Sequence, residues 1–390
     1  MCTKISLNNR SRGSAIALAL LSVTILSMIG VAMLTLALHG RLMGVRSSSE
    51  IAARAAADGG LTKAVFAMNQ KIDTGTWDPT NLPRASFEPL PYCDAIFSYA
   101  VEGDTNDGYS ITSIGKSGRY QKRVDATVRL EGLFNYGILA KESIVLKSGT
   151  SVDAYDSNDP NNSSSATVNI ATTSTNSGMI VMQNSTVDGE VQTGVDYYFF
   201  SLAPPVLPNM GTNIVVVGET RIIGPADSGI YTSISLSHKA GKPGILQVSG
   251  GNVVLEILGN VNIAQIDIGQ NCEIVVKQGA SLVLYLAGDL IIGEGGGIRN
   301  ETLVPLNMML ISTTCNANQL LALKAKTSFS GVVYAPCAQV QMNAGSDIYG
   351  AFVCDNFELK SNSTIFYDAT LKDVEIGDLG ARFVVDRWHE

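Results

Sequence analysis

The chain has 390 residues, of which 45% are apolar and 16% are charged, and its formal net charge at pH 7 is −8. This apolar content excludes a disordered chain, and the negative charge argues against a general affinity for nucleic acid or anionic lipid headgroups. The 38 glycines and the 7% aromatic content favour many short strands joined by tight turns over a helical bundle. The composition therefore predicts a mostly β protein.

The first predicted element is a transmembrane helix over residues 15–38, a stretch without a charged residue. As a helix it is ~36 Å long, which is sufficient to cross a bilayer. Residues 1–14 precede it as a leader, and residues 39–72 continue it as a helical stalk with apolar side chains three to four positions apart. Gly59 and Gly60 interrupt the stalk pattern and are expected to bend or loosen it. The alternative is a cleaved secretory signal peptide, although its apolar core is usually only ~7–15 residues long.

Two short motifs flank the apolar stretch: Arg-Gly-Ser at residues 12–14 and Ala-Arg-Ala-Ala-Ala-Asp-Gly-Gly-Leu at residues 53–61. Together with the apolar stretch, they resemble the N-terminal region of the PilX-type minor pilins, which assist type IV pilus assembly. The resemblance implies that a prepilin peptidase cuts after Gly13 on the cytoplasmic side and that Ser14 becomes the new N-terminus. It also implies that the apolar helix packs into a pilus or pseudopilus.

Two residues depart from the pattern of that family. Ser14 replaces the usual bulky apolar residue, and Leu18 occupies the fifth position after the cut, where a typical major pilin has glutamate. In the family, this glutamate neutralises the terminal amine of the neighbouring subunit. A subunit with Leu18 at this helix-packing position is therefore expected at a fibre tip or as an initiating subunit. A membrane anchor unrelated to pilins is the alternative.

Residues 73–132 are predicted to form a loop and a small pilin-like sheet. The loop covers residues 73–91, where prolines are frequent. Apolar and polar side chains alternate over residues 95–101 and again over residues 109–130, which is the periodicity of strands. Gly115 and Gly118 are expected to bracket the turn of a hairpin over residues 109–130.

From residue 133 onward the sequence repeats itself. The motif Leu-Lys-Ser-Gly-Thr-Ser-Val at residues 146–152 recurs as Leu-Lys-Ser-Asn-Ser-Thr-Ile at residues 359–365, and residues 339–348 resemble the second copy at an offset of 17. Short apolar strands with Gly, Ser and Asn at the corners bury their inner faces by stacking. Residues 133–372 are therefore predicted to form a right-handed parallel β-helix of about a dozen rungs, followed by a tail over residues 373–390. A β-sandwich or jelly roll is the alternative.

One excursion from the coil is predicted over residues 196–212, because its three prolines cannot supply regular ladder hydrogen bonds. It begins with four aromatic residues at 197–200, for which a buried hydrophobic hairpin and a platform for a sugar ring are the two interpretations. The C-terminal half, with Leu-Val-Leu-Tyr-Leu-Ala-Gly-Asp-Leu at residues 282–290, looks like the β-helical domain that bacterial PilX-like membrane proteins often carry. This second resemblance implies no catalytic residue.

The titratable residues do not form a recognisable catalytic constellation. A β-helix that cleaves polysaccharides needs clustered aspartates near a histidine, or a basic residue beside calcium. His238 is predicted to lie in a surface turn, and Asp289 and Glu294, which lie among glycines, are predicted to be solvated turn carboxylates. The sequence therefore predicts a protein that is not an enzyme and needs no cofactor.

Metal and disulfide candidates are few. Asp153, Asp156 and Asp159 belong to the densest cluster of oxygen ligands and are calcium candidates, although the spacing fails the EF-hand pattern and a solvated polar loop is the alternative. No zinc pattern occurs, since the six cysteines include no C-x-x-C motif. One disulfide is expected among the three cysteines at positions 315, 337 and 354, with buried thiols in the coil interior as the alternative.

These patterns predict a single-pass inner-membrane protein whose C-terminal body lies in the periplasm or at the cell surface. Its predicted role is that of a minor pilin-like structural protein that assists assembly of a type IV pilus or pseudopilus, with a tip position as one expectation. The predicted partners are membrane lipid, other pilin or pseudopilin subunits and the prepilin peptidase, and not nucleic acid. The alternatives are an anchored carbohydrate-binding adhesin or polysaccharide-active protein, and a bactofilin-like cytoplasmic scaffold.

Overall fold

The computed structural model describes residues 14–104, 108–158, 166–315 and 318–389. The chain divides into two compact units: unit 1 consists of Met1–Arg129 with Phe383–Glu390, and unit 2 consists of Leu130–Arg382. One long N-terminal helix and a small antiparallel sheet accompany a large parallel sheet, so the prediction of a mostly β protein with these elements is confirmed.

Helix α1 and four strands come first in the chain, and a last strand follows the large sheet. These elements are α1 (Ser14–Asp73), β1 (Arg84–Pro89), β2 (Ile96–Asp104), β3 (Gly108–Ser117), β4 (Tyr120–Glu131) and, at the end, β27 (Arg382–His389). The first strands of the large sheet are β5 (Ile138–Leu146), β6 (Ser151–Tyr155), β7 (Ile170–Thr172), β8 (Ile180–Met182), β9 (Thr186–Val187), β10 (Val191–Thr193), β11 (Asn213–Val217), β12 (Thr220–Ile223), β13 (Gly229–Tyr231), β14 (Ser233–Ser237) and β15 (Ile245–Val248). The others are β16 (Asn252–Ile257), β17 (Ala264–Ile268), β18 (Glu273–Val276), β19 (Ser281–Leu286), β20 (Asp289–Ile292), β21 (Gly297–Asn300), β22 (Met308–Ser312), β23 (Leu320–Leu323), β24 (Ser328–Met342), β25 (Asp347–Leu359) and β26 (Thr364–Asp368). Short 3-10 helices cover Ser177–Met179, Pro225–Asp227, Pro305–Asn307 and Ala369–Lys372.

In unit 1, one face of helix α1 packs on an antiparallel sheet with the strand order β1-β2-β3-β4-β27. The buried helix residues are small or apolar and recur every three or four positions: Ala53, Ala56, Ala57, Leu61, Ala64 and Met68. On the sheet, the predicted alternation over residues 95–101 is confirmed, since Ala95, Phe97, Tyr99 and Val101 are all buried. Burial of these two faces against each other removes their apolar surface from water and stabilises unit 1.

The small sheet differs from its predicted outline in three places. Strand β1 lies inside the region predicted as a loop, and strand β27 lies inside the predicted tail. The turn between β3 and β4 is at Gly118, where the backbone has a positive φ of +56°, a conformation that glycine adopts readily. Gly115 is not part of that turn but lies within β3, where it meets helix α1.

Strand β27 is held in unit 1 by polar and aromatic contacts. The backbone N–H of Phe383 donates to Asn69 Oδ1 over 2.6 Å, and Asn69 Nδ2 donates to the Phe383 carbonyl over 3.0 Å. The Phe383 ring lies 4.8 Å from the ring of Trp77 and 5.1 Å from that of Tyr109, measured between centroids. Phe383, near the start of β27, is therefore part of the core of unit 1.

In unit 2, the pairings between the described strands are parallel, and each strand pairs with the strand about three places further along the chain. Three ladders result, each nine strands long in the described part of the chain, where about a dozen rungs are predicted. The parallel pairings contradict the β-sandwich and jelly-roll alternative, which requires antiparallel strands. Side chains from successive rungs stack in the interior, as in the row Leu246, Ile274, Ile298, Phe329, Ile348, Ile365 and Val152.

The sequence repeats coincide with ladder neighbours. Leu146 pairs with Leu359 and Ser151 with Thr364, so the two copies of the motif lie side by side although they are far apart in the chain. Residues 339–342 pair with residues 356–359, which is the offset of 17. Buried hydroxyls of the small-residue clusters contact one another at a corner, where Thr327 and Ser346 form a 3.1 Å hydrogen bond.

The order of rungs in the stack is not the order of the chain. The chain enters at β5 and β6, adds β7 to β10 at the near end of the ladders, and then reaches the far end, where β11 to β13 begin. From there it returns rung by rung until β25 and β26 pair with β5 and β6. The connection over residues 194–212 contains no strand, only a parallel bridge between Asn209 and Ile230, in agreement with the predicted excursion.

Candidate functional site

The first half of helix α1 exposes its apolar side chains. Large apolar residues from Ile16 to Val45 are mostly half to three-quarters exposed, and the helix is long and apolar enough to cross a membrane. It is the single such helix found in the described residues and is a candidate membrane anchor. Leu18, predicted as a helix-packing residue, is 69% exposed on this segment. Ser14 is the first residue of the helix, and Gly13 lies outside the described residues.

The second half of helix α1 contains the motif at residues 53–61 and lies close to the sheet. A Cβ on Gly115 of strand β3 would overlap the Ala53 carbonyl oxygen and lie 2.9 Å from the carbonyl carbon of Ala56. A Cβ on Gly60 would overlap the Ser113 hydroxyl and lie 2.9 Å from Phe97 Cδ2. The small residues of the motif thus allow the helix backbone to approach the strand. Helix α1 continues without a break through Gly59 and Gly60, in contrast to the predicted loosening.

The cysteines divide into one disulfide and three thiols. Cys315 and Cys337 are bonded, with their Cα atoms 5.0 Å apart, and the bond joins the segment after β22 to β24. The third disulfide candidate, Cys354, is a buried thiol, and burial raises its pKa. Cys272 is also a buried thiol, and Cys93 is exposed.

The calcium candidates do not form a metal site within the described residues. Asp153 lies in β6, where its Oδ2 accepts a 3.0 Å hydrogen bond from the Ser151 hydroxyl. Asp156 accepts a 2.8 Å hydrogen bond from the backbone N–H of Asn158, and Asp159 lies outside the described residues. Over residues 14–104, 108–158, 166–315 and 318–389, no group of three or more His, Cys, Asp or Glu side chains is arranged to hold a metal ion.

Asp289 and Glu294, which the sequence predicts to be solvated turn carboxylates, have different environments in the structure. Asp289 is 6% exposed at the start of β20, and its Oδ1 accepts a 3.0 Å hydrogen bond from the backbone N–H of Leu320. The prediction of a solvated turn is therefore wrong for Asp289, whose carboxylate instead connects two rungs. Glu294 pairs with Lys326 at 3.8 Å. His238 Nδ1 lies 3.7 Å from the thiol of Cys272.

The aromatic residues at 197–200 have unequal environments. Tyr197 is 8% exposed and belongs to the core, Phe199 and Phe200 are partly buried against it, and Tyr198 is 69% exposed. The Tyr334 hydroxyl accepts a 3.0 Å hydrogen bond from the Phe200 N–H and donates a 2.8 Å hydrogen bond to the Phe200 carbonyl. Burial raises the pKa of Tyr334 to about 12, so this hydroxyl keeps its proton above pH 10 as well. The predicted hairpin is not present, since residues 197–200 form no strand, and only Tyr197 of the four is fully buried. The sugar platform stays a prediction.

These aromatic residues line a cavity of about 370 Å³ in unit 2. Five aromatic side chains form part of its wall: Tyr197, Tyr198, Phe199, Phe200 and Tyr334. The wall is completed by four hydroxyl residues (Ser201, Ser312, Thr313 and Thr314), Pro336, the Cys315–Cys337 disulfide and Lys141. The cavity thus combines rigid apolar rings with groups that donate and accept hydrogen bonds, which is the usual make-up of a small-molecule site.

Sequence reasoning identified the aromatic run and both bonded cysteines but not the hydroxyl residues or Lys141. Lys141 lies in β5, near the start of the repeat region, whereas Thr313 and Thr314 follow β22. These residues lie close together because β22, β24, β25 and β5 are successive strands of one ladder. In the sequence, only the two motif copies at residues 146–152 and 359–365, which are ladder neighbours, indicate that β5 lies beside β25.

Comparisons with known proteins locate a family match in unit 2. The model of a domain of unknown function (DUF7305) matches residues 219–374. No curated protein matches the chain in sequence. Among solved structures, the chain is similar to the competence-associated pilin ComZ from Thermus thermophilus, at 14% identity and a TM-score of 0.28 over 88% of this chain and 97% of that one. It is also similar to an ice-binding protein from the Antarctic ascomycete Antarctomyces psychrotrophicus, at 14% identity and a TM-score of 0.29 over 59% and 93% of the two chains.

Proposed function

We propose that this chain is a membrane-anchored, pilin-like structural subunit of the PilX type that assists assembly of a type IV pilus or pseudopilus. The observation that carries the proposal is the division of helix α1 into an exposed apolar half and a half packed on an antiparallel sheet. An apolar helix surface of this extent needs lipid or other helices around it, because exposure to water is unfavourable. A helix that first lies in the membrane and then packs against equivalent helices satisfies this need in both states.

The absence of a charge at Leu18 supports a terminal position in the fibre as part of the proposal. With leucine at this position, the helix offers no carboxylate to the terminal amine of a neighbouring subunit. Such a subunit has no need of a neighbour on the membrane side of that position, so we place it at the tip or at initiation. The proposed partners are membrane lipid, the prepilin peptidase and other pilin or pseudopilin subunits.

We further propose that residues 133–372 form a right-handed parallel β-helix outside the cytoplasm, in the periplasm or at the cell surface. Parallel pairing of every third strand in three ladders supports the coil. The Cys315–Cys337 disulfide supports an oxidising compartment, since disulfides persist there and are rare in the cytosol. In this proposal the anchor lies in the inner membrane, and the body is a displayed structure without catalysis. Hydrolysis or lysis of a polysaccharide by the purified chain would contradict the non-catalytic part.

Processing at the N-terminus is tested by mass spectrometry of the membrane-extracted protein. With an active prepilin peptidase, we expect the N-terminal peptide to begin at Ser14, and the Gly13→Val variant to keep Met1. Gly30→Val is the matched control, because Gly30 lies within helix α1, away from the proposed cut, and a Cβ there meets nothing within 4 Å. An intact Met1 in the wild-type protein, in cells that process another prepilin, would refute the cleavage.

Assembly is tested by cross-linking in intact membranes, followed by isolation of the tagged chain. Pilus or pseudopilus subunits are expected to be linked to photo-reactive residues placed at exposed positions between Ile16 and Val45. Cross-linkers placed on the exposed Phe66, in the sheet-packed half, serve as the comparison. Cross-links to lipid alone would reduce the role of the helix to anchoring and refute the assembly function.

A further inference from the structure

The aromatic residues in the wall of the unit 2 cavity are held in place by contacts with Tyr334 and Arg382. Phe200 is held at its backbone by both hydrogen bonds of the Tyr334 hydroxyl. The guanidinium of Arg382 lies 5.3 Å from the centroid of the Tyr197 ring and 5.6 Å from that of Phe200, within the range of cation–π attraction. These rings are therefore ordered without a ligand, so binding a ligand against them costs little conformational entropy. Tyr198, on the same wall, is 69% exposed and is available for a further contact.

The hydroxyl residues of the cavity differ in whether their hydrogen bonds are already used. Ser312 donates to Gln319 Oε1 over 2.6 Å and also accepts from the Thr314 N–H. The side-chain hydroxyls of Ser201, Thr313 and Thr314 have no hydrogen-bond partner among the described residues. Each hydroxyl offers one donor and two acceptor sites, so a ligand that covers them must itself carry several polar groups. A purely apolar ligand would leave them unpaired, which is unfavourable.

Lys141 is the single charged residue in the wall of the cavity, as far as the described residues show. Its side chain is exposed, and neither Asp355, on whose pKa the positive charge of Lys141 has a lowering effect, nor any other acidic residue is among those that line the cavity. No carboxylate therefore lines the wall together with this ammonium group. A negatively charged group on a ligand would complement it.

We propose that this cavity binds a small acidic saccharide, with a sugar ring against the aromatic wall and its carboxylate directed to Lys141. A sugar ring has a flat apolar face of C–H groups, which suits Tyr198 and Phe199, and a rim of hydroxyls, which suits Ser201, Thr313 and Thr314. The volume of about 370 Å³ accommodates one or two sugar rings. Tyr198 and Lys141 are the two residues that set affinity and charge selectivity. The inference goes beyond the proposed pilin-like function and does not depend on it.

The test uses the full chain in polyoxyethylene detergent micelles, which carry no sugar headgroup that could compete. The probes are an array of oligosaccharides that end in hexuronic or sialic acids, each paired with a neutral counterpart, and the best pair is then titrated. We expect the acidic member to bind at least tenfold more tightly than the neutral one. Tyr198→Ala is expected to weaken binding of both members, and Lys141→Met to remove the preference for the acid.

Two matched variants control for general effects of the substitutions. Tyr92→Ala removes a fully exposed tyrosine of unit 1, and Lys324→Met removes an exposed lysine of unit 2 outside the cavity wall, and both should bind as the wild type. Circular dichroism checks that each variant is folded. Absence of binding to the whole array by folded protein, or binding that neither cavity substitution weakens, overturns the proposal. Such a failure leaves the processing and cross-linking results unaffected, so the two proposals are tested separately.

Discussion

Gly59 and Gly60 are adjacent in helix α1 but have different neighbours across the helix–sheet contact. A Cβ on Gly59 would meet only Leu90 Cδ1 at 3.0 Å, the end of a flexible side chain, whereas a Cβ on Gly60 would meet Ser113 and Phe97 in the buried sheet. The two glycines also carry the same intrinsic cost in a helix, about 1 kcal/mol relative to alanine. Their substitution thus separates helix propensity from close packing.

We predict that Gly59→Ala leaves unit 1 unchanged or stabilises it by up to about 1 kcal/mol, because the helix gains propensity. Gly60→Ala should destabilise it by about 1–3 kcal/mol, because the added methyl overpacks the contact. Tryptophan fluorescence during urea unfolding measures the difference, since both tryptophans, Trp77 and Trp388, lie in unit 1. Equal midpoints for the two variants would show that the close approach at Gly60 is not a constraint.

Three buried tyrosine hydroxyls in unit 2 donate to backbone carbonyls. Tyr197 donates to Leu133 over 3.3 Å, Tyr334 to Phe200 over 2.8 Å and Tyr367 to Phe134 over 2.8 Å. Burial raises the pKa of each above its ordinary value of 10, and that of Tyr334 to about 12. Since the folded pKa is the higher one, the contribution to stability is complete below pH 10. It is lost as the pH rises toward the folded pKa.

We therefore predict that the free energy of unfolding of unit 2 falls above pH 10. Each such tyrosine contributes a slope of up to about 1.4 kcal/mol per pH unit, because only the unfolded state loses the proton. Denaturant titrations followed by circular dichroism between pH 9 and pH 12, a window set by these pKa values, measure the slope. Tyr334→Phe should make it shallower, while Tyr92→Phe, at an exposed position, should not. A stability that stays constant up to pH 11.5 would be inconsistent with neutral buried hydroxyls.

At the scale of elements, the Cys315–Cys337 disulfide fixes the segment that follows β22. The bond closes a loop with a sequence separation of 22, and that loop carries β23 and the first part of β24. Thr313 and Thr314, which lie between β22 and Cys315, line the cavity. The bond therefore stabilises unit 2 and holds part of the cavity wall.

We predict that reduction of this disulfide destabilises unit 2 by about 3 kcal/mol, from the entropy of the closed loop in the unfolded state. The melting temperature should fall by about 6–12 °C for a unit of this size. Thermal circular dichroism with and without a phosphine reductant measures the shift, and a thiol assay confirms the reduction. Cys93→Ser, which alters an exposed thiol in unit 1, is the control. An unchanged melting temperature after complete reduction would exclude a stabilising role.

The elements that the sequence predicted are those whose residues carry a local pattern. Alternation revealed the strands around Phe97 and Ile111, and the repeated motif revealed the ladder of β5 and β25. Strand β1 was not predicted, because Pro89 and the bulge at Phe87, where φ is +55°, disrupt the alternation. Strand β27 escaped because its partner, β4, is distant in the chain. Four residues of the cavity wall could be predicted from the aromatic run at 197–200, while Lys141 depends on contacts between distant rungs.

At the scale of the whole chain, the rung that comes first in the sequence of unit 2 (β5 and β6) pairs with the rung that comes last (β25 and β26). Most ladder contacts join strands close in sequence, such as β14 with β17, whereas the β5–β25 and β6–β26 pairs join strands separated by most of the unit. Long separations delay contact formation, because closing a long loop costs entropy before the contact can stabilise the chain. Nothing in the local pattern fixes this order of rungs, so the sequence alone predicted a simple coil.

We predict that the β5–β25 ladder becomes protected late in refolding. The amide of Lys147, which donates to the Leu359 carbonyl over 2.9 Å, should gain protection from hydrogen exchange after that of Gly269, which donates to the Leu236 carbonyl over 2.8 Å. Pulse-labelled hydrogen exchange with peptide-level mass spectrometry measures both. Simultaneous protection of the two amides would indicate a single cooperative step, and earlier protection of Lys147 would reverse the predicted order.

The position of strand β27 has a consequence for how the chain can be rearranged. Strands β4 and β27 are neighbours in the small sheet, and all of Leu130–Arg382 is inserted between their unit 1 portions. In connectivity, the large unit is a domain insertion between β4 and β27, two neighbouring strands of the five-stranded sheet. Such an arrangement permits exchange of the large unit for another domain with close termini, while unit 1 keeps all five of its described strands.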